Sequence, residues 1–94
     1  MILGYADRAT QTFADGGDVR QFRGFGEQAR KRLRILDAAP SLDDLRALPS
    51  NRFEALRGDR AGQFSIRINL QWRLCFTWLH GTSGPDRVAI VDYH

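Results

Sequence analysis

Residues 58–78 of this 94-residue chain, GDRAGQFSIRINLQWRLCFTW, decide its fold, because they have the pattern of two half-buried strands joined by a short turn. Apolar side chains alternate with polar or small ones along both segments. One face would therefore carry a continuous apolar set: Phe64, Ile66, Ile68, Trp72, Leu74, Phe76 and Trp78. Since neighbouring side chains of a strand point to opposite faces, a shift of one residue would turn a whole apolar set outward.

The loop between these strands predicts their register. Only an odd number of loop residues keeps both apolar sets on one face, and the loop 69–71 has three residues. It places Ile66 opposite Leu74 and Arg67 opposite Arg73. Two like charges directly opposite each other destabilise a sheet, by about 0.2–1 kcal/mol. The pair therefore indicates an anion lying across the polar face; the alternative is a solvated face whose arginines find carboxylates elsewhere.

The remaining segments predict helices between strands. Asp7 and Ser41 are the expected N-caps of the first and last helices, and Pro40 and Pro49 end the helices that precede them. In chain order we expect a strand at 2–5, a helix at 7–13, an amphipathic helix at 25–39, a short helix at 41–48 and a last strand at 88–92. This order predicts an α+β fold, with a small, mainly antiparallel sheet of about four strands and helices packed on one face.

Composition limits the class of protein. The length suits one domain, residues 1–94, and 43% hydrophobic residues suffice for a core without disulfides or a structural metal. Cys75 is the only cysteine, which excludes an internal disulfide and a zinc site built on several cysteines. We expect it to be a buried small side chain. No stretch has the pattern of a signal peptide or a membrane span, which favours a cytoplasmic protein without a membrane partner.

Basic residues favour a polyanionic partner. Fourteen Arg and Lys against eleven Asp and Glu give a net charge of +3, and only Lys31 is a lysine. Arg30, Lys31 and Arg34 cluster on the long helix, which makes it a candidate surface for RNA phosphates, DNA or an acidic protein. The alternative is an ordinary solvated helix face.

The candidate chemistry combines charge stabilisation with proton transfer. Arginines can stabilise negative charge on a phosphoryl group, and histidine as a residue type changes charge near neutral pH, so His94 is a natural acid or base. The alternative for a terminal histidine is simple exposure. The two histidines have no metal-ligand spacing, so we expect no metal site. The candidate groups are Arg57, Arg67, Arg73, Tyr93 and His94, with Glu54 and Asp92 as orienting carboxylates.

Two stretches, GDRAGQFSIRINLQWRLCF and the terminal VAIVDYH, resemble the HigB toxins of bacterial toxin–antitoxin systems, within the RelE/ParE-like toxin superfamily. The segment ARKRLRILDAAPSLDDLRALPSNRFEALRGDR resembles the middle of that family. The resemblance implies a RelE-like fold and a ribosome-dependent mRNA endonuclease without metal or organic cofactor. It also implies a helix-turn-helix antitoxin of the HigA type, with operator DNA bound only through the toxin–antitoxin complex.

The resemblance also implies site residues. The basic catalytic residues of the family would be Arg57 and Arg73, and its terminal pair would be Tyr93 and His94, while Arg67 and Asn69 lie in the matching hairpin. Two positions depart from the family pattern: Leu70 stands at the hairpin tip, where a polar residue is expected, and Glu54 stands where some members carry histidine. The alternative function is a non-catalytic or attenuated module on the same fold that binds RNA or an antitoxin.

Overall fold

The computed structural model describes residues 1–92, which form three α-helices and one four-stranded sheet. The helices are α1 (Arg8–Ala14), α2 (Gly26–Ala38) and α3 (Leu42–Ala47), and the strands are β1 (Glu54–Ala55), β2 (Gln63–Arg67), β3 (Trp72–Thr77) and β4 (Asp86–Asp92). Short 3-10 helices occupy Arg20–Phe25, Pro49–Asn51 and Gly58–Arg60. Every neighbouring pair of strands is antiparallel, in the order β1-β2-β3-β4, which confirms the predicted α+β fold.

The register of the β2–β3 hairpin is the one predicted from its loop. Ile66 pairs with Leu74, and Arg67 pairs with Arg73. The Asn69 side-chain oxygen holds the tip, because it accepts hydrogen bonds from the backbone N–H groups of Gln71 and Trp72, both at 2.8 Å. The loop geometry is therefore encoded by one asparagine side chain that replaces missing backbone pairing.

The hydrophobic core lies between the helices and the inner face of the sheet, as the alternation predicts. Ile66 and Leu74 are fully buried, and so is Leu36 of α2. Each such side chain contributes about 1.5–3 kcal/mol relative to exposure. Near the hairpin tip, Trp72 stacks on Phe25 with ring centroids 4.8 Å apart. These contacts fix α2 and the 3-10 helix before it against the hairpin.

Local capping sets the ends of the helices as predicted. The Asp7 carboxylate accepts a hydrogen bond from the backbone N–H of Thr10 at 2.7 Å and begins α1. Ser41 plays the same part for α3, and α2 ends at Ala38, two residues before Pro40. Thr10 then joins α1 to the sheet, because its hydroxyl accepts from the buried N–H of Ile90 at 3.0 Å.

The strand predicted at residues 2–5 is wrong. Tyr5 makes only an isolated parallel bridge to Val88, and the strand beside β2 is the two-residue β1. Residues 2–5 do follow β4, with Leu3 donating to the Pro85 carbonyl at 2.7 Å. Arg87 has a φ of 51°, so β4 is irregular where this segment meets it and a regular ladder does not continue.

Candidate functional site

The outer face of the hairpin, opposite the core, carries the candidate site. Ser65 and Cys75 are paired across the two strands, and Cys75 is paired in turn with Ala89 of β4. All three are small and buried. Glu54 of β1 lies opposite Ser65 and extends the same row. The next row toward the loop holds Arg67 and Arg73, so the face is a row of small residues beside a pair of arginines.

Arg73 is buried, with only 9% of its surface exposed. Its Nε–H donates to the Ser65 hydroxyl at 2.7 Å, and its Nη2 donates to the backbone carbonyl of Arg52. Arg52 has a φ of 46°, in the left-handed region that few residues other than glycine adopt. The backbone at residue 52 thus supplies an acceptor for a guanidinium that lies two strands away.

The burial of Arg73 corrects one expectation. Its place on the outer face predicts a solvated guanidinium whose removal would leave the stability equal or slightly higher. The structure shows instead that the Ser65 hydroxyl would lose its buried donor. An unsatisfied buried polar group costs about 1–3 kcal/mol, so we now expect truncation of Arg73 to destabilise the fold.

Arg67 directs its guanidinium the other way along the sheet. Its Nε–H donates to the Asn69 carbonyl at 3.2 Å, toward the hairpin tip, whereas Arg73 binds Ser65, away from the tip. The two head groups therefore diverge although their Cα atoms are paired. This divergence relieves the repulsion that the register alone predicts, and it separates two positive charges on one face.

An open cleft of about 600 Å³ adjoins Arg67, between α2 and the hairpin tip. Across it, Arg32 donates to the Asn51 side-chain oxygen at 2.7 Å and to the Ser50 hydroxyl at 3.3 Å. Burial lowers the pKa of Arg32, yet the group stays charged at any physiological pH. The cleft lining consists of Gln28, Arg32, Ser50, Arg67, Ile68, Asn69, Leu70 and Gln71.

Arg32 is the residue that sequence reasoning missed. It belongs to the basic run of α2, but nothing local distinguishes it from its neighbours. What distinguishes it is Asn51, which is fully buried and also donates to the Leu45 carbonyl at 3.0 Å. A contact across 19 residues of sequence leaves no periodic signal.

The three basic residues of the predicted RNA surface on α2 differ in their contacts. Arg30 donates to the Phe13 carbonyl at 3.0 Å, and its guanidinium lies 4.1 Å from the centroid of the Phe13 ring. Arg30 therefore fastens α1 to α2. Lys31 and Arg34 are exposed and have no ion-pair partner within residues 1–92, so these two offer their charge to a ligand.

The remaining candidates are placed less closely together. Arg57 is exposed, and its side chain makes no hydrogen bond or ion pair with residues 1–92. The Asp92 carboxylate accepts from the Gln71 side-chain amide at 3.1 Å. The predicted proton-transfer groups Tyr93 and His94 lie outside the described residues. The structure therefore places Arg67, Asn69 and Arg73 on one hairpin, with the Arg67 and Arg73 head groups turned apart.

Other kinds of site find little support in the part of the chain that the structure describes. Residues 1–92 contain no group of three or more metal-ligating side chains. Burial raises the pKa of the Cys75 thiol, which makes it a poor nucleophile. Within the same range, no helix has the length and apolar character needed to cross a bilayer.

Comparisons with known proteins agree with this fold. Residues 4–94 match the family described as RelE-like toxin of type II toxin–antitoxin system HigB. Toxin HigB-1 of Vibrio cholerae serotype O1 is 51% identical over 53 residues, an alignment that spans 56% of this chain and 56% of that toxin.

Solved structures show the same architecture at low identity. A YoeB/ParE toxin from Agrobacterium tumefaciens superposes with a TM-score of 0.60 at 12% identity, covering 99% of this chain and 98% of that one. A YoeB–YefM complex from Staphylococcus aureus gives 0.57 at 19% identity, covering 100% and 95%. At such low sequence identity these structures show only that the fold is shared. The family itself is shown by the sequence match over residues 4–94. The chain therefore belongs to the HigB-like family of RelE-like toxins of type II toxin–antitoxin systems.

Proposed function

We propose that this toxin is a metal-independent endoribonuclease that cleaves messenger RNA on the ribosome and so inhibits translation. The observation that supports it most is Arg73, a guanidinium fixed on the outer sheet face by Ser65 and by the Arg52 carbonyl. A donor fixed before the reaction can stabilise charge that develops in the transition state without reorganisation. Arg73 lies on the face of the hairpin opposite the apolar core.

The proposed reaction is internal transesterification of RNA. The ribose 2′-oxygen forms a bond to the adjacent phosphorus, and the bond from phosphorus to the 5′-oxygen breaks. One proton leaves the 2′-hydroxyl and another reaches the 5′-oxygen. Arg73 would stabilise the non-bridging phosphoryl oxygens, with Arg67 and Arg57 adding positive charge. Tyr93 and His94 would move the two protons, in an assignment that the sequence leaves open.

The ribosome would supply the alignment that the toxin lacks. The Arg57 side chain is exposed and makes no hydrogen bond or ion pair with residues 1–92, so its charge is not held in a fixed position. A substrate fixed by another body would remove the need for such rigidity. The exposed Lys31 and Arg34 of α2, with Arg30 beside them, would contact ribosomal RNA phosphates.

A helix-turn-helix antitoxin of the HigA type would neutralise the toxin. Membership of a toxin–antitoxin family supports a protein partner, and one structural neighbour was solved as a complex of YoeB with YefM. Operator DNA would be bound through the antitoxin in that complex. A toxin that acts on ribosomes would be located in the cytoplasm. We propose that residues 1–94 form one domain.

A defined message with and without ribosomes tests the proposed activity. The purified toxin is added to ribosomes stalled on a single codon, and primer extension locates cut sites. We expect cuts only when the message is ribosome-bound, and none in the same RNA alone. Ribosome binding without any cut would overturn the nuclease proposal and favour the non-catalytic module.

A further inference from the structure

The cleft between α2 and the hairpin tip has the construction of an anion-binding site. Arg32 and Arg67 line it from opposite sides, one on the helix and one on β2. Neither forms an ion pair with any carboxylate of residues 1–92, since their acceptors there are neutral oxygens of Ser50, Asn51 and Asn69. Two guanidiniums thus face one open space without a counter-charge from the described chain.

Arg32 is held in place rather than left to move with solvent. Its Nη1 donates to Asn51, whose amide is fully buried and is fixed in turn by the Leu45 carbonyl. A buried amide whose oxygen receives an arginine and whose nitrogen donates to backbone has a single arrangement that satisfies both groups. This chain of hydrogen bonds fixes one guanidinium edge and leaves the others available at the cleft.

We infer that Arg32 and Arg67 together bind a phosphodiester of single-stranded RNA, at a position next to the phosphate that Arg73 would stabilise. This inference rests on the proposed function. It assigns Arg67 to a flanking phosphate, because its head group turns toward the tip while that of Arg73 turns toward Ser65. Asn51 is then a positioning residue for Arg32.

Single-stranded RNA fits the cleft better than an acidic protein segment does. Guanidinium forks bind phosphate and carboxylate oxygens alike in a bidentate manner, so the choice between the two occupants depends on the other lining residues. The rest of the lining is rich in side-chain amides, from Gln28, Asn69 and Gln71, which suit ribose hydroxyls and base edges. Arg67 lines the cleft and is also paired with Arg73 on the outer face, so one extended strand could reach both arginines.

Binding of a short single-stranded RNA, followed by fluorescence anisotropy over a range of salt concentrations, tests the inference. The variants are Arg32→Gln, Arg67→Gln and the double variant. Glutamine at 32 keeps an amide donor for Asn51, and Arg67 has only a backbone acceptor, so both substitutions preserve the fold. Arg8→Gln is the matched control, because Arg8 is exposed on α1 and loses the same charge.

We expect each cleft variant to bind the RNA about tenfold or more weakly, as for loss of a charge-assisted hydrogen bond. The slope of log affinity against log salt should fall by about 0.7, the value for one phosphate contact on a single strand. Because both arginines hold one phosphate, the double variant should lose little beyond either single variant. Arg8→Gln should leave the affinity within about twofold of wild type.

Two outcomes separate this inference from the proposed nuclease activity. If wild type cleaves ribosome-bound message but both cleft variants bind RNA like Arg8→Gln, the cleft assignment is overturned and the nuclease stands. If the cleft variants lose RNA affinity but wild type never cleaves, the cleft stands and the nuclease proposal falls. Absence of RNA binding by wild type itself would overturn the inference directly, with an acidic protein segment as the remaining occupant.

Discussion

The two faces of the β2–β3 hairpin are both buried near its centre, but they are held by different forces. On the inner face Ile66 and Leu74 pack among apolar helices. On the outer face Ser65 and Arg73 are joined by a hydrogen bond, with Cys75 beside them. Apolar packing tolerates any well-fitting side chain, whereas a hydrogen-bonded guanidinium demands particular partners. Inner-face substitutions should therefore lower stability alone, whereas outer-face substitutions should lower both stability and activity.

The largest expected effect on stability belongs to the inner face. Leu74→Ala removes a fully buried side chain, and we expect the free energy of unfolding to fall by about 2–5 kcal/mol. Chemical denaturation monitored by tryptophan fluorescence measures it. Any Leu74→Ala protein that stays folded should cleave at nearly the wild-type rate. A change below about 0.5 kcal/mol would show that the inner face does not carry the core.

The next largest effect is expected on the outer face, where two small paired residues, Ser65 and Cys75, can be compared. Ser65→Ala removes the acceptor of the Arg73 Nε–H, and we expect a loss of about 1–3 kcal/mol in unfolding free energy. Displacement of Arg73 should also slow cleavage, by up to about 10²-fold. Cys75→Ala is the control, because Cys75 lies opposite Ser65 and is equally buried. Equal cleavage rates in the two variants would remove Ser65 as a positioning residue.

A smaller effect concerns Cys75, in the same buried row of the outer face, and the pH dependence of the free energy of unfolding. Burial raises the pKa of the Cys75 thiol in the folded state. The thiol therefore stabilises the fold while protonated, and this contribution is lost as pH rises above about 8.5, where the unfolded thiol ionises. We expect slow alkylation by iodoacetamide at neutral pH, accelerated by denaturant. Native alkylation as fast as that of a free cysteine peptide would contradict the burial.

The smallest effect belongs to the hairpin tip. Leu70 is 90% exposed, so Leu70→Ser should change the free energy of unfolding by no more than about 0.5 kcal/mol. The same chemical denaturation, run beside Leu74→Ala, measures it. A large loss of stability would mean that Leu70 packs against the protein in solution, and the hairpin tip would then belong to the core.

The sequence predicted those features that depend on residues close together in the chain, and it missed those that depend on distant contacts. The Arg67–Arg73 register depends on alternation and an odd loop, and the N-caps depend on residues a turn apart, so local patterns sufficed. The burial of Arg73 depends on the Arg52 carbonyl, 21 residues away. Strand β1 is too short to show alternation. These features arise from tertiary contacts, which leave no periodic trace in the chain.

The central claim is that the outer face carries the activity, and single-turnover cleavage by Arg73→Ala on message-loaded ribosomes tests it most directly. The toxin is saturating, and sedimentation with ribosomes is measured for the same samples at a temperature where melts show the variant folded. We expect cleavage to fall by about 10²–10³-fold, the loss typical of one transition-state donor, with unchanged ribosome binding. Cleavage at the wild-type rate by the folded variant would contradict the account.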